Sequence, residues 1–435
     1  MPGPGQFSIP GSERERSASS RLVEPVKEDE TLSVNVVVRF PPGCPAFPDF
    51  TYKGKVPLHK RPVLSREQYA ETYRAAQSDL DVVIAFIQKH GMTATDCNAT
   101  ARTILVKGTA GQMTAAFGIQ LNHYESPLSP HDHGKHVAGT VTQGTAKAAQ
   151  TKSTSQIHRG YDGPIQVPHE LSEIITAVVG LDNRLRGGSS GTGDPTPNTT
   201  AIYTPVLIGP SRYNFPTTSA SDQVIAIIAA SPDGYSASDI ELYFSNTNIS
   251  SYGYTFNSTK QLVPVYLYPT GESGSFNPAP APETNQDICT AATVAQGATF
   301  NVYFTQRTEL GWQLFLSRVL QPPAGAEDPP TVVSLSTPVA AADDPTSAFI
   351  GSVSSSGSTA SVLSGLFKSL ASVGVNVFAA NGDDGADSLL GNGADDALPH
   401  LQYPGSDPYV YILRRHGDGT TGFVGRVGVE RYRQL

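Results

Sequence analysis

Glu283 and Asp287 stand in Glu-Thr-Asn-Gln-Asp at the start of a predicted helix, four positions apart, so both carboxylates fall on one helical face. Their mutual repulsion raises one pKa, and such a carboxyl can take a proton from a hydroxyl while its neighbour orients it. The same pair also reads as an acidic helix start favoured by the helix dipole. Asp383 follows the predicted strand Val375 to Ala380 in Asn381-Gly382-Asp383-Asp384-Gly385. That is the carboxyl end of a strand, where open α/β sheets place functional side chains, although Gly-Asp-Asp-Gly is equally turn or calcium-loop chemistry.

Three further motifs receive no role. His131, His133 and His136 form a histidine cluster, but in a Gly/Pro-flanked loop without carboxylate or Cys ligands to close a metal site. Gly187-Gly188-Ser189-Ser190-Gly191 spells the nucleophile-elbow pattern, yet that chemistry needs a strained strand-to-helix turn and no strand precedes it. The serine-rich run from Ser352 to Ser361 precedes a helix and reads as capping.

The elements that must position these residues fall into two grammars. Residues 1–31 are rich in Gly, Pro, Ser and charge and read as a disordered lead. From Leu32 a β-branched strand is followed by a predicted helix over 65–90, opened by a Ser65/Gln68 capping box. A strand at 103–108 leads to a second box at Thr109/Gln112 and an Ala-rich helix. A strand at 119–124 closes a β-α-β-α-β order with short links. This predicts an antiparallel split-βαβ, ferredoxin-like α+β unit over 32–184. A Gly/Ser/Pro-rich linker follows over 185–202, and a second domain spans 203–435. There the apolar runs at 224–230, 300–304, 332–336 and 375–380 are continuous rather than alternating. With helices expected near 284–296, 311–319 and 358–372, they predict a parallel α/β sheet buried on both faces. From Tyr411 the chain turns basic and Gly-rich and promises no further βα unit.

Composition narrows the function. The 435 residues are 38% hydrophobic and 16% charged, enough for more than one small core. A net charge of −9 argues against nucleic-acid binding, and no apolar run is long enough to span a membrane or to act as a secretory signal. Cys44, Cys97 and Cys289 allow one disulfide at most and exclude a Cys-based zinc site.

Several segments together resemble the sedolisins, or serine-carboxyl peptidases, of the kumamolisin-like kind with a pro-kumamolisin activation domain. In the first domain they are Leu64-Ser65-Arg66-Glu67-Gln68-Tyr69, Ala85 to Gly91, Thr114 to Ile119 and Ile174 to Arg184. In the second they are Tyr203-Thr204-Pro205, Tyr213 to Pro216 and Gln223 to Phe244. The resemblance implies a subtilisin-like parallel sheet, peptide or protein substrates, a zymogen whose activation domain blocks the cleft, extracellular action and a calcium ion. It implies that Glu283 is the general base to a serine, that Asp287 supports it, and that Asp383, protonated at acidic pH, donates to the oxyanion.

Two departures accompany it. Where the family has Ser-Trp-Gly, the chain reads Ser336-Thr337-Pro338, and Pro338 cannot donate a backbone hydrogen bond. After Val410 the family's Gly-Gly-Thr turn, the Gly-Thr-Ser with the nucleophile and the calcium-binding aspartates do not follow. The expectation is therefore a peptidase precursor incomplete at its C-terminal end and catalytically incompetent as written. A frameshift after Val410 would account for it: Arg414-Arg415-His416-Gly417 can be encoded so that the overlapping frame reads Gly-Gly-Thr. The alternative is a non-catalytic inhibitor or folding assistant of an intact peptidase. A Ser-His-Asp enzyme is disfavoured because no histidine occurs between His169 and His400.

Overall fold

The structure is a computed structural model that describes residues 5–14, 20–48, 60, 62–127, 155–184, 219–230, 233–268, 279–341, 356–380, 402–416 and 426–430. In the N-terminal unit the order is β1 (Gln6–Ser8), β2 (Arg21–Pro25), β3 (Thr31–Val38), α1 (Arg66–Tyr73), α2 (Gln77–Lys89), β4 (Thr93–Asn98), β5 (Thr103–Thr109), α3 (Ala110–Phe117), β6 (Leu121–Pro127), β7 (Ser155–Tyr161), β8 (Gln166–Pro168) and β9 (Ile175–Val179). A four-stranded antiparallel sheet, β4-β5-β3-β9, carries α2 and α3 on one face. There Val34, Val36 and Val38 of β3 pack with Leu80, Val83, Ile87 and Phe117. Both expected capping boxes form, at Ser65/Gln68 and Thr109/Gln112.

The helix expected over 65–90 is two helices. Arg74 leaves the helical region with ψ near 151°, and the Ala75 amide donates to the Ala99 carbonyl at 2.8 Å. The break lets two apolar faces point to different cores: Tyr69 and Tyr73 join the core of the second unit, while Leu80, Val83 and Ile87 join that of the first. The lead, expected to be disordered, instead carries β1, β2 and the fully buried Ile9 among its described residues. Composition missed it because these strands lean on partners from later in the chain, in two separate sheets: β1 pairs with β8 and β2 with β6.

The second unit runs β10 (Val224–Ala230), β11 (Asp233–Gly234), α4 (Ala237–Ser245), β12 (Leu262–Tyr266), β13 (Ala279–Pro280), α5 (Pro282–Val294), β14 (Thr299–Thr305), α6 (Glu309–Leu320), β15 (Val332–Leu335), β16 (Ala340–Ala341), α7 (Thr359–Ser372), β17 (Asn376–Ala380), β18 (Gln402–Tyr403), β19 (Tyr411–His416) and β20 (Arg426–Glu430). Its seven-stranded sheet has the order β12-β14-β10-β15-β17-β19-β20, parallel except for β20. The α/β parallel sheet read from the sequence is thus present, with α4 and α5 on one face and α6 and α7 on the other. After β17 the chain still contributes strands: β19 adds beside β17 and β20 folds back antiparallel on β19.

The N-terminal sheet turns its second face to α6 and α7. Val37, Ala177 and Val179 are buried there against Val362 of α7. Strand β3 is therefore covered on both sides, which is why every residue of it after Thr31 is buried, Ser33 and Asn35 included.

Candidate functional site

Strand β10 is where the strand order of the parallel sheet reverses: the chain first moves outward to β12 and β14, then crosses to β15 on the other side. A crevice opens at the carboxyl ends of such neighbours, and ligands of open α/β sheets bind in it. Helix α5 begins at that edge. The short β11, just past the end of β10, pairs with β13, and the Ala281 amide donates to the Gly234 carbonyl at 3.0 Å. Pro282 occupies the first turn, where its missing N–H costs nothing, and Glu283 follows it near the positive end of the helix. Thr284, Ile288 and Ala292 bury the neighbouring stripe, which fixes how the helix is rotated.

Asp287 lies one turn further along, on the face of Glu283. Burial pushes its carboxyl up to about 7; a hydrogen bond from Ser336 opposes the shift and the negative charge of Glu283 adds to it. The Ser336 hydroxyl donates to Asp287 Oδ1 at 2.7 Å. Ser336 is the residue immediately after β15, at its carboxyl end, so α5 and the sheet edge are joined by this bond across the switch point. Sequence reasoning placed Ser336 only in an altered substrate-binding edge. Its position just beyond an apolar parallel strand is the signal that could have found it.

The structure thus brings Glu283 and Asp287 close enough to interact electrostatically. Asp383, the histidines at 131, 133 and 136, and the Gly187–Gly191 motif lie outside the described residues. The three cysteines are free, and burial raises the thiols of Cys97 and of Cys289, the latter to about 11, so neither is an activated thiolate. Among the described residues no three His, Cys, Asp or Glu side chains are grouped as a metal would need, and no helix is long and apolar enough to cross a membrane. A protonated Asp287 can donate a hydrogen bond to a charged Glu283, which leaves Glu283 to accept a proton from an incoming hydroxyl.

The family model described as "Pro-kumamolisin, activation domain" matches residues 18–184. Over 415 residues the chain is 32% identical to tripeptidyl-peptidase sed5 of Aspergillus fumigatus, covering 93% of this chain and 65% of that protein. It is 27% identical over 404 residues to kumamolisin of Bacillus sp. strain MN-32, covering 89% of this chain and 62% of the relative. The chain therefore spans less than two thirds of the length of either relative. Among solved structures, Pseudomonas sedolisin, a serine-carboxyl proteinase complexed with pseudo-iodotyrostatin, aligns with a TM-score of 0.34 at 14% identity, over 50% of this chain and 55% of that one.

Proposed function

The chain belongs to the sedolisin family of serine-carboxyl peptidases, with a pro-kumamolisin activation domain over residues 18–184, and from that premise we propose that it is the precursor form of an acid-acting endopeptidase. The observation that carries the reading is the Glu283–Asp287 pair at the carboxyl edge of the parallel sheet, with Asp287 anchored by Ser336 and held protonated by burial. Glu283 serves as the general base towards a serine hydroxyl, and Asp287, in its neutral form, orients Glu283 by donating to it. Asp383 is assigned the oxyanion donor, a role a carboxylic acid fulfils only while it keeps its proton.

No Gly-Thr-Ser occurs in the 435 residues, so the chain as written supplies the acidic half of the site without an assigned nucleophile. The purified chain is accordingly expected to leave a denatured protein uncut at acidic pH, and cleavage by the chain alone would overturn that part of the reading. If the chain instead suppresses or assists the activity of an intact relative mixed with it, the non-catalytic reading takes precedence. With a nucleophile present, the product pattern separates internal cleavage from release of tripeptides, the activity named for the Aspergillus relative. Action outside the cell is part of the same proposal. Calcium, implied by the family, is given no site, because the described residues offer no ligand group for it; no step above passes through it.

The pairing has a direct test. In the variant Glu283→Gln the negative charge that raises Asp287 is gone, so the Asp287 pKa read by NMR titration should fall. An unchanged value would separate the two carboxyls and remove the catalytic assignment.

The interface between the two units fits a domain that must leave. Glu309, Gln313 and Ser317 follow one another at one-turn intervals on α6, and all are buried. The Gln313 amide and the Ser317 hydroxyl have no partner within the described protein. A polar-lined cavity of about 120 Å³ lies between Ser33, Arg159 and Asp182 on one side and Gln306 and Thr308 on the other. Such a surface suits water once the activation domain is gone.

A further inference from the structure

Residues 5–14 precede the segment matched by the activation-domain model, which starts at residue 18, yet they are built into the junction of the two units. Strand β1 pairs with β8, and the Ile9 amide donates to Ile165 O at 2.9 Å. The Ser12 hydroxyl caps Ile9 O at 2.6 Å and accepts from the Ile165 amide at 2.9 Å, while the Tyr161 hydroxyl donates to Ser12 O at 3.1 Å. The arm is thereby fixed to the N-terminal unit. Its other side meets the peptidase unit where α6 and α7 both begin.

Three contacts are made there. The Gly357 amide, just before α7, donates to Pro10 O at 2.6 Å. Arg14 Nη2 donates to both carboxylate oxygens of Glu309, the first residue of α6, at 3.1 and 2.9 Å. It also reaches Thr359 Oγ1, the first residue of α7, at 3.2 Å, and that hydroxyl donates to Glu309 Oε2 at 2.5 Å. The charged and titratable groups around Arg14 are Glu309 from α6 and Tyr161 and Asp182 from the N-terminal unit. Burial alone would weaken the Arg14 cation, and the acidic neighbours more than offset this, so its pKa is raised. The side chains of Arg14 and Glu309 are 12% and 2% exposed.

The opposite ends of the same two helices are held by α1. Arg66 donates to Val319 O at 2.8 Å, to Leu320 O, and to Pro330 O at 2.8 Å, which satisfies carbonyls at the C-terminal end of α6. The Tyr69 hydroxyl bonds Ser369 Oγ of α7 at 2.7 Å. Two arginines from distant parts of the N-terminal unit therefore grip α6 at its two ends.

We propose that the N-terminal arm, residues 5–14, is a docking strap for the paired starts of α6 and α7 of this chain's own peptidase unit, and that its hold on them must open before the activation domain can leave. The proposal rests on the reading of residues 18–184 as a releasable domain, but it is read out by docking rather than by hydrolysis. The strap also explains Gly357: a Cβ there would lie 2.4 Å from Pro10 O and 2.6 Å from Ile9 Cγ2, so a side chain would push the arm away.

The experiment is hydrogen exchange on the full chain, comparing Arg14→Ala, Gly357→Ala and the paired variant Arg14→Met with Glu309→Gln. Arg14→Ala strands a buried carboxylate, so amides at the starts of α6 and α7, Gly311 to Gln313 and Val362, should exchange at least about tenfold faster, with the β3 and β14 ladders still protected. Gly357→Ala should produce the same pattern from the other side of the contact. The paired variant, with no stranded charge, should recover most of the protection. Unchanged exchange in both single variants overturns the strap. So does loss of protection through β14 and β3 alike, which would make the arm part of a common core. A failed peptidase assay leaves either result standing.

Discussion

At the scale of single residues, the molecule concentrates its strangeness in Asp287. A buried carboxyl held near 7 binds a proton in the folded state over a pH range where the unfolded chain has released it. The native state therefore carries more protons than the unfolded state between about pH 4 and 7, so this residue's contribution to stability falls as pH rises through that window. Asp407, buried beside the Tyr403 hydroxyl at 3.1 Å and pushed up to about 6, acts in the same direction. Asp287→Asn keeps an oxygen to accept from Ser336 and cannot ionise. It should match the parent near pH 4 and exceed it at pH 7 by about 3 kcal/mol, read from urea unfolding at both pH values. Equal stability at both would mean that Asp287 is not held protonated. The pair of carboxylates was legible from spacing alone, because helical period fixes which residues share a face. The serine that anchors it was not, because Ser336 meets α5 only through the crossover that brings β15 beside β10.

At the scale of elements, what could be read was what packs uniformly. Val224–Ala230 is an apolar run because β10 lies mid-sheet with helices on both faces, and the strand occupies those residues. Strand β12 escaped notice for the converse reason. It is the sheet edge, is only partly buried and contains Pro264, which an edge strand tolerates and a central strand would not. Strand β7 escaped too, since Ser-Gln-Ile-His-Arg-Gly-Tyr has no apolar periodicity and is a strand by pairing with β6. Among the described glycines the closest backbone approach is at the start of α6, where a Cβ on Gly311 would fall 2.0 Å from the Gln306 carbonyl oxygen and 2.9 Å from Thr305 Oγ1. Backbone cannot yield there as a flexible side chain would. Gly311→Ala should cost about 3 kcal/mol or more in denaturant unfolding. By moving the helix start it should also weaken the Glu309 contact with Arg14. A loss below about 1 kcal/mol would show that the β14–α6 turn has slack that the packing denies.

At the scale of the whole molecule, the two units meet through a surface of mixed character, and that mixture decides how they come apart. One end is apolar and aromatic: Phe47 stacks on Tyr73 with ring centroids 4.4 Å apart, Tyr69 and Tyr73 are buried with the α6 and α7 side chains, and Lys368 lies over the Phe47 ring at 4.5 Å. The other end depends on a buried ion pair through the arm. Buried ion pairs are poor sources of net stability but costly to break one-sidedly, whereas apolar contact is lost gradually with area. The polar cavity lies at this same end, beside Glu309, so that although Val37, Ala177 and Val179 pack on Val362 the arm's side of the interface is the less cohesive one. Separation should therefore start at the arm and finish at α1. Arg66→Ala probes that order, because it removes three donors to backbone carbonyls and leaves the arm untouched. It should weaken docking by about 2 kcal/mol, seen as faster exchange at the C-terminal turn of α6, while the Gly311 and Val362 amides keep their protection until the whole interface opens. If those amides are instead released together with the C-terminal turn, the two ends of the interface are one cooperative unit, and the arm has no separate control over the departure of the activation domain.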